Sequence, residues 1–194
     1  MKIITCFTLL FYNSTSKTTQ NMQFFAIFIQ RGTKMKKLIF ILIFAISTTF
    51  SFALEIGDKA PNFKVELSDG KQVSLSDYKG KYLFLHFWAT WCGPCRKELP
   101  ELQQFYQSLS PSSKIQFLAV CISDTKKSMD SFMKKNKFTF PTALDESGFL
   151  VAFPYDVQAI PVSIIINPEG KIEKQVIGMM SPKALENFVK DYVN

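Results

Sequence analysis

The hydrophobic pattern of residues 54–194 alternates between strand-like and helix-like segments. Alternating apolar and polar residues on both sides of Asp69-Gly70 predict a hairpin near the start of this region. Nearly continuous apolar runs predict strands that are covered on both faces. These runs are 82–88, 115–122 and 162–166. A turn at Pro168-Glu169-Gly170 then predicts that residues 172–177 continue antiparallel to the last run.

Three further segments have the apolar spacing of helices. They lie between Cys95 and Ser110, around 129–133 and around 185–189. Asp124 is predicted to cap the second helix, and Ser181-Pro182 to begin the third. Strands that alternate with helices predict an α/β domain, with a central mixed β-sheet, helices on both faces and an N-terminal β-hairpin extension.

The first 53 residues follow a different pattern. Met35-Lys36-Lys37 precedes the apolar run 38–46, and small residues stand at 51 and 53, which is typical of a secretory signal peptide. A retained membrane anchor is the alternative, because the apolar stretch approaches the roughly 20 residues that a membrane span needs. Residues 1–34 show no core-forming period. They are interpreted as an over-long start: an unstructured extension that precedes the true start of translation at Met35.

The predicted organisation is therefore 1–34 as this extension, 35–53 as signal peptide or anchor, and 54–194 as one domain. The formal charge of +7 belongs to the front of the chain, where residues 1–53 hold six bases and no acid. Residues 54–194 hold 17 bases and 16 acids, so nucleic-acid binding is excluded as a function. Four cysteines are too few for a disulfide scaffold, and the 47% hydrophobic content suffices for a packed core.

The chemistry of the chain is concentrated in Trp91-Cys92-Gly93-Pro94-Cys95, between a predicted buried strand and a predicted helix. Cysteines three apart at a helix start can close a disulfide, Cys92–Cys95, across the first turn. Free backbone N–H groups and the helix dipole stabilise a thiolate there. We expect Cys92, at the exposed end, to be the nucleophile, with a pKa below the roughly 8.5 of a free thiol. Cys95, one turn in, is expected to be shielded and to resolve the mixed disulfide.

The residues between the two cysteines suit this role. Gly93 lets a partner chain approach, and Pro94 is tolerated in a first helical turn. A purely structural disulfide is the alternative, but closing so short a loop stabilises little. No second cysteine pair suggests zinc, and Arg96 rather than histidine follows Cys95, which disfavours haem attachment. We therefore expect no metal site and no cofactor.

The segment Phe87 to Pro100 resembles the active site of the thioredoxin superfamily, and more narrowly that of the exported TlpA/ResA-like thiol-disulfide oxidoreductases. Residues 60–63, and Gly170 after Asn167, extend the resemblance over most of the chain from Ile56 onward. It implies a thioredoxin-like fold with Trp91 in the active-site motif. It also implies a cis Ile160–Pro161 bond facing the cysteines, with backbone groups of Ile160 placed to pair with a substrate segment.

Two polar residues near the motif have open roles. In ResA-like proteins a glutamate at the position of Glu98 is linked to the active-site cysteines; a surface acid paired with Lys97 or Lys190 is the alternative. His86 stands where thioredoxins have a buried Asp and TlpA-like proteins commonly an Asn. It either relays a proton, with a pKa near the working pH, or is a neutral core histidine bonded to a backbone carbonyl.

These features predict an exported thiol-disulfide oxidoreductase. Gly93-Pro94 resembles thioredoxin more than the strongly oxidising relatives, which favours a reductant. The implied partners are disulfide-bearing exported proteins, apocytochrome c among them, and a membrane electron donor. We expect a monomer in the periplasm or another extracytoplasmic compartment, bound to the membrane only if the N-terminal segment is retained.

Two other functions compete with this prediction. A peroxiredoxin-like thiol peroxidase is suggested by Ala60-Pro61-Asn62-Phe63, but Thr90 lies two rather than three residues before Cys92. A non-enzymatic copper-binding thioredoxin-fold module is the other alternative. It is disfavoured because the chain has no histidine near the cysteine pair except His86.

Overall fold

The computed structural model describes residues 54–110 and 112–193. The predicted over-long start (1–34) and the predicted signal peptide or anchor (35–53) lie outside these residues. None of the helices found in the described part combines the length and the apolar character that a membrane crossing requires.

Apart from the short strand Thr142–Asp145, which the hydrophobic pattern did not predict, the strands and helices follow one another as that pattern indicates. The strands are β1 (Lys64–Glu66), β2 (Gln72–Ser74), β3 (Tyr82–Trp88), β4 (Ile115–Ile122), β5 (Thr142–Asp145), β6 (Val162–Ile166) and β7 (Ile172–Ile177). The α-helices are α1 (Gly93–Ser108), α2 (Lys126–Asn136) and α3 (Pro182–Val189). A 3₁₀ helix, Leu75–Tyr78, follows β2 at the position where the alternation predicted more strand.

Within the described residues, five strands form a mixed sheet in the order β5-β4-β3-β6-β7. The central strand β3 runs parallel to β4 and antiparallel to β6. Strands β1 and β2 form a separate antiparallel hairpin, with Val65 opposite Val73. The predicted hairpin and the predicted antiparallel end of the sheet are both present.

The two faces of the sheet are covered differently. Alternate residues of β3, such as Phe84 and Trp88, face a core cluster that includes the buried residues of α1, α2 and α3. The intervening residues, such as Leu85, face a second cluster with the hairpin and the segment around Tyr155. The prediction of helices on both faces is therefore wrong for the described part, because a hairpin and tight turns bury the second face instead.

The start of α2 also differs from the prediction. Its N-cap is Thr125, whose hydroxyl accepts a hydrogen bond from the N–H of Ser128 at 3.2 Å. Asp124 does not cap the helix, because its carboxylate is directed toward Thr90. The third helix begins as predicted, with Ser181 as N-cap and Pro182 in the first turn.

Candidate functional site

The two cysteines lie where the central strand leads into α1. Cys92 is the N-cap residue of α1, and Cys95 lies in its first turn. Their sulfur atoms form a disulfide, with the Cα atoms 5.3 Å apart. Cys95 is fully buried, whereas Cys92 is 5% exposed. The sequence placed Cys92 at an exposed end; the structure leaves only its edge accessible, because the chain around Ile160 covers it.

The local sequence positions the first sulfur at the helix N-terminus. Cys92 has an extended backbone, and Pro94 occupies the first turn, where no intrahelical N–H bond is lost. The Sγ atom of Cys92 accepts a hydrogen bond from the N–H of Cys95 at 3.2 Å. Apart from its two chain neighbours and the backbone of its own helix, no atom of the described residues lies within 4 Å of the position a Cβ would take at Gly93, so the space above this residue is open.

The opposite side of the site is formed by the residues that precede β6. The Ile160–Pro161 peptide bond is cis, and the carbonyl oxygen of Ile160 lies 3.7 Å from Sγ of Cys92. The N–H of Gly178, which follows β7, donates to the carbonyl of Pro161 at 2.8 Å. Residues far apart in sequence thus meet at the disulfide.

Trp91 lies in the loop ahead of the disulfide, and Asp124 lies in the loop after β4 that is hydrogen-bonded to it. The Trp91 side chain is 62% exposed, and its Nε1–H donates to the carbonyl of Ser123 at 3.0 Å. The Asp124 carboxylate accepts from the N–H and the hydroxyl of Thr90, at 2.8 and 2.6 Å. Although partial burial opposes them, these hydrogen bonds and one from Thr125 lower the pKa of Asp124. Sequence reasoning missed this anchor because it treated Asp124 as a helix cap.

Glu98 lies on the buried face of α1 rather than in a surface ion pair. It is 1% exposed, and its Oε1 accepts a hydrogen bond from the N–H of Met180 at 3.2 Å. Its Oε2 has no partner among the described residues. Burial raises the pKa of Glu98 to about 7, although the Met180 hydrogen bond acts in the opposite direction. The alternative of a surface pair with Lys97 or Lys190 does not fit this burial.

His86 is fully buried in the central strand. Its Nδ1 lies 3.0 Å from the hydroxyl of Ser163 on β6, and its Nε2 has no partner in the described part of the chain. Burial lowers the pKa of His86 to about 3, so the imidazole is neutral at working pH. This lowered pKa favours a neutral core histidine over a proton relay, and the partner is a hydroxyl rather than the expected backbone carbonyl.

An exposed apolar surface near the site was not predicted. Phe149 and Phe153 are 68% and 67% exposed, with ring centroids 5.7 Å apart. Their segment is connected to the site through Gly148, which approaches the Ser123 side chain, next to the carbonyl that binds Trp91. Exposed aromatic residues have no periodic signal in the sequence, so only the fold could reveal them.

The described residues offer no cluster of three or more histidine, cysteine, aspartate or glutamate residues that could hold a metal ion. Cys121 is fully buried in β4, with its sulfur 3.8 Å from an Asp124 oxygen. Burial and the nearby Asp124 charge both raise the pKa of this thiol, so it is unreactive. It behaves as the small buried apolar residue that the sequence suggested.

Comparison with known proteins agrees with this geometry. Residues 56–175 match the model of the AhpC/TSA family. The thiol-disulfide oxidoreductase ResA of Bacillus subtilis (strain 168) is 41% identical over 138 residues, which cover 71% of this chain and 74% of that protein. The sporulation thiol-disulfide oxidoreductase A of the same strain is 33% identical over 166 residues, covering 82% and 99%.

Solved structures show the same fold. The crystal structure of StoA from Bacillus subtilis superposes with a TM-score of 0.59 at 36% identity, over 66% of this chain and 96% of that one. The solution structure of a thiol:disulfide interchange protein from a Bacteroides species gives 0.63 at 28% identity, over 74% and 93%. The mixed sheet, the helix that begins at Cys92 and the preceding hairpin therefore form a thioredoxin-like fold.

Proposed function

Because the chain belongs to the AhpC/TSA family, and within it to the ResA-like thiol-disulfide oxidoreductases, we propose that it reduces disulfides in exported client proteins through Cys92 and Cys95. The observation that carries this proposal is the disulfide at the start of α1, whose first sulfur faces the cis Ile160–Pro161 segment. The Gly93-Pro94 spacer supports the reducing direction.

The reaction proceeds by two exchanges. In the reduced protein, the Cys92 thiolate attacks one sulfur of a client disulfide, and the other client sulfur leaves as a thiolate. The thiolate of Cys95 then attacks Sγ of Cys92, which closes the internal disulfide and releases the second client sulfur. The client gains two electrons, and the Cys92–Cys95 pair loses two. An external donor then reduces the pair again.

Cys92 is proposed as the attacking sulfur because of its surroundings. It retains an accessible edge, whereas Cys95 has none. The N–H of Cys95 is directed at its Sγ, and the positive end of the α1 dipole favours negative charge there. Both effects lower the pKa of a free thiol at this position and so raise the fraction of reactive thiolate.

Glu98 is proposed to take the proton from Cys95 during the second exchange. It lies one helical turn beyond Cys95, its Oε2 is free of partners in the described residues, and its pKa is raised to about 7. A carboxyl group with this pKa exchanges protons near neutral pH. His86 stays neutral in this scheme and holds β3 against β6 through Ser163.

Client binding is proposed to use the surface around the accessible sulfur. The backbone of Ile160 would pair with an extended client segment, and the exposed ring of Trp91 would contact its side chains. The relatives are thiol-disulfide oxidoreductases, and their substrates by this chemistry are proteins that contain disulfides. An exported apocytochrome is one such client class.

Export is proposed from residues 35–53, which have the order of a signal peptide or membrane anchor. In an extracytoplasmic compartment the protein would act as a monomer and receive electrons from a membrane donor. Mass spectrometry of the protein isolated from its own cells tests two points: whether residues 35–53 act as a signal peptide or anchor, and whether translation starts at Met35. An N-terminus at Met35 or near Leu54 would support it, and a peptide from residues 1–34 would contradict the over-long start.

The catalytic proposal is tested with the reduced protein and insulin as a disulfide substrate. We expect Cys92→Ser to abolish reduction, and Cys95→Ser to accumulate a covalent mixed disulfide at Cys92. Consumption of peroxide without insulin reduction would instead support the peroxidase alternative. Stoichiometric copper binding without either activity would support the copper-binding alternative.

The direction of electron flow is tested by equilibrating the protein with thiol redox buffers. A reduction potential near the roughly −270 mV of thioredoxin would support a reductant. A value near the roughly −120 mV of strong oxidants would contradict it.

The role of Glu98 is tested by the pH profile of the second exchange. In Glu98→Gln we expect the rate of mixed-disulfide resolution to lose its inflection near neutral pH. Glu101→Gln, on the same helix, is the matched control and should keep the wild-type profile. An unchanged profile in Glu98→Gln would contradict proton transfer through this carboxyl group.

A further inference from the structure

Positive charge is concentrated beside the disulfide although the domain as a whole is nearly neutral. Residues 54–194 carry 17 bases and 16 acids. Helix α2 and the residue that ends it nevertheless contain one acid, Asp130, and five lysines: Lys126, Lys127, Lys134, Lys135 and Lys137. The first turn of α1, immediately after the cysteine pair, adds Arg96 and Lys97. The remainder of the domain is therefore net acidic.

An open groove separates these two helices. It has a volume of about 700 Å³ and lies between the N-terminal turn of α1 and the outer face of α2. Arg96, Lys97 and Lys135 are its charged lining residues, and no carboxylate from the part of the chain that the structure describes lines it. Serine and asparagine side chains, Ser128, Ser131 and Asn136, supply neutral hydrogen-bonding groups along the α2 side.

The groove comes close to the disulfide, although neither cysteine lines it. Thr90 and Gly93, which stand on either side of Trp91-Cys92, both line it. Among the described residues, no side chain beyond the two chain neighbours of Gly93 occupies the space above it, so a polypeptide that crosses Cys92 has room to continue into the groove. A polypeptide that lies in the groove would therefore pass close to the residues that flank the exchanged bond.

Within residues 54–110 and 112–193, the charges in the groove are not neutralised by ion pairs. Arg96, Lys97 and Lys135 form no ion pair with any described residue. Asp130 is paired with Lys126, and Asp124 accepts hydrogen bonds from Thr90. The Arg96 guanidinium lies over the Phe132 ring, 5.9 Å from its centroid, which holds this charge at the groove.

From this arrangement we infer that the groove binds an acidic segment of the client polypeptide next to the client's disulfide. This inference rests on the proposed function and names the chemistry of its substrate. The groove is open and extends along α2, which suits a polypeptide more than a small anion that needs enclosing walls. Unpaired charges beside a reactive group accelerate encounters with partners of opposite charge.

The test uses short cyclic peptides that contain one disulfide and differ only in the residues flanking it, which are aspartate, glutamine or lysine. The second-order rate of their reduction by the reduced protein is measured at low salt and in about 0.5 M NaCl. At low salt we expect the aspartate peptide to react roughly tenfold faster than the glutamine peptide, and the lysine peptide to react slower. High salt should remove most of this difference.

Two triple variants, each of which removes three positive charges, distinguish the effect of the groove charges from the effect of the net charge of the protein. Arg96→Gln/Lys97→Gln/Lys135→Gln should abolish the preference for the aspartate peptide while it retains reduction of the glutamine peptide. Lys59→Gln/Lys79→Gln/Lys171→Gln removes three charges near the start of β3, at the other end of the sheet, and should leave the preference unchanged. If the first triple variant does not fold, the single charge reversal Lys135→Glu takes its place.

The outcomes distinguish the inference from the function on which it rests. Failure to reduce even the glutamine peptide would contradict the proposed function. Equal rates for all three peptides, or equal loss of preference in both triple variants, would contradict binding of an acidic segment in the groove. The proposed reduction of disulfides would still hold. Oxidised glutathione serves as a small anionic probe. If the first triple variant slows the reduction of oxidised glutathione as much as it slows that of the aspartate peptide, the groove selects small anions rather than a polypeptide. That result would also overturn the inference.

Discussion

Two buried titratable residues, His86 and Glu98, have pKa values shifted in opposite directions by the same cause. Burial disfavours the charged form, so it lowers the pKa of the imidazole to about 3 and raises that of the carboxyl group to about 7. The folded protein therefore holds His86 neutral and holds Glu98 protonated over much of the acidic range. Each contributes a pH dependence to the free energy of unfolding, with opposite sign.

The contribution of His86 is present above its unfolded pKa near 6.5 and is lost as pH falls toward its folded value. The free energy of unfolding of wild type should therefore fall with pH more steeply than that of His86→Asn. Between a pH of roughly 7 and one of roughly 4.5, the difference between the two proteins should shift by about 2–3 kcal/mol in favour of the variant. Denaturant unfolding at the two pH values measures this difference. A constant difference between the two proteins would contradict a depressed pKa.

Glu98→Gln is the control of opposite sign. The contribution of Glu98 is fully present below its ordinary pKa near 4.5 and is lost as pH rises through about 7. Relative to wild type, the glutamine variant should therefore lose stability on acidification over the same interval. A change of the same sign in both variants would point to a general effect of the pH on the fold rather than to these two side chains.

At the level of elements, Asp145 fixes the connection that carries the exposed aromatic pair. It is fully buried at the end of β5. Its carboxylate accepts hydrogen bonds from the N–H groups of Leu150, Val151 and Ala152, at 3.2, 2.8 and 3.0 Å. One side chain thus satisfies three backbone donors of the turn that follows, and it determines where Phe149 and Phe153 are presented.

Asp145→Asn should lower the free energy of unfolding by about 2–4 kcal/mol, because an amide cannot replace a charged acceptor for several buried donors. Glu146→Gln, the exposed neighbouring position, is the matched control and should change stability by less than about 0.5 kcal/mol. Urea titrations of the three proteins measure both effects. Equal stability of the aspartate variant and wild type would show that the turn is held by other contacts.

The elements that the sequence predicted and those it missed differ in length and in their surroundings. Strands β3, β4 and β6 lie in the middle of the sheet, so their apolar runs are nearly continuous. Strand β5 is four residues long and lies at the sheet edge, and its hydrophobic signal merges with that of the preceding loop. The distribution of helices between the two faces was mispredicted because periodicity reports how much of an element is buried, not which side of a sheet it packs against.

The site could be predicted where backbone geometry follows directly from residue type. The cysteine spacing and Pro94 mark the start of a helix in the sequence, and Ile160–Pro161 marks the segment that faces it. The fold then brings these residues together. The pKa values of His86 and Glu98, and the hydrogen bonds of Asp124, depend on what packs around them. Such surroundings are made by distant segments, so a single sequence does not reveal them.

At the scale of the whole molecule, aromatic residues link the helices to the central strand. The Phe84 ring lies 5.2 Å from that of Phe117, 5.6 Å from that of Phe105 and 5.7 Å from that of Phe188, measured between centroids. Phe84 is fully buried. One side chain of β3 thus contacts aromatic residues from β4, α1 and α3, and we expect it to contribute to the packing of all of them.

Phe84→Ala should lower the free energy of unfolding by about 3–5 kcal/mol, through lost burial and the cavity that remains. Phe149→Ala removes the same side chain from a position that is 68% exposed, and should change stability by less than about 0.5 kcal/mol. Calorimetry or denaturant unfolding compares the two variants. Similar losses in both would mean that ring size rather than burial determines the effect.

The contact between Cys92 and Ile160 joins residues that are 68 positions apart along the chain. During synthesis, the redox motif consequently emerges well before the segment that completes its surroundings, and β6 must dock beside β3 before the two meet. Until then Cys92 lacks the cover that the Ile160 segment provides. The part of the surroundings that Ile160 supplies is therefore acquired only when the two segments meet, and the rate at which Cys92 exchanges with a client can report that event.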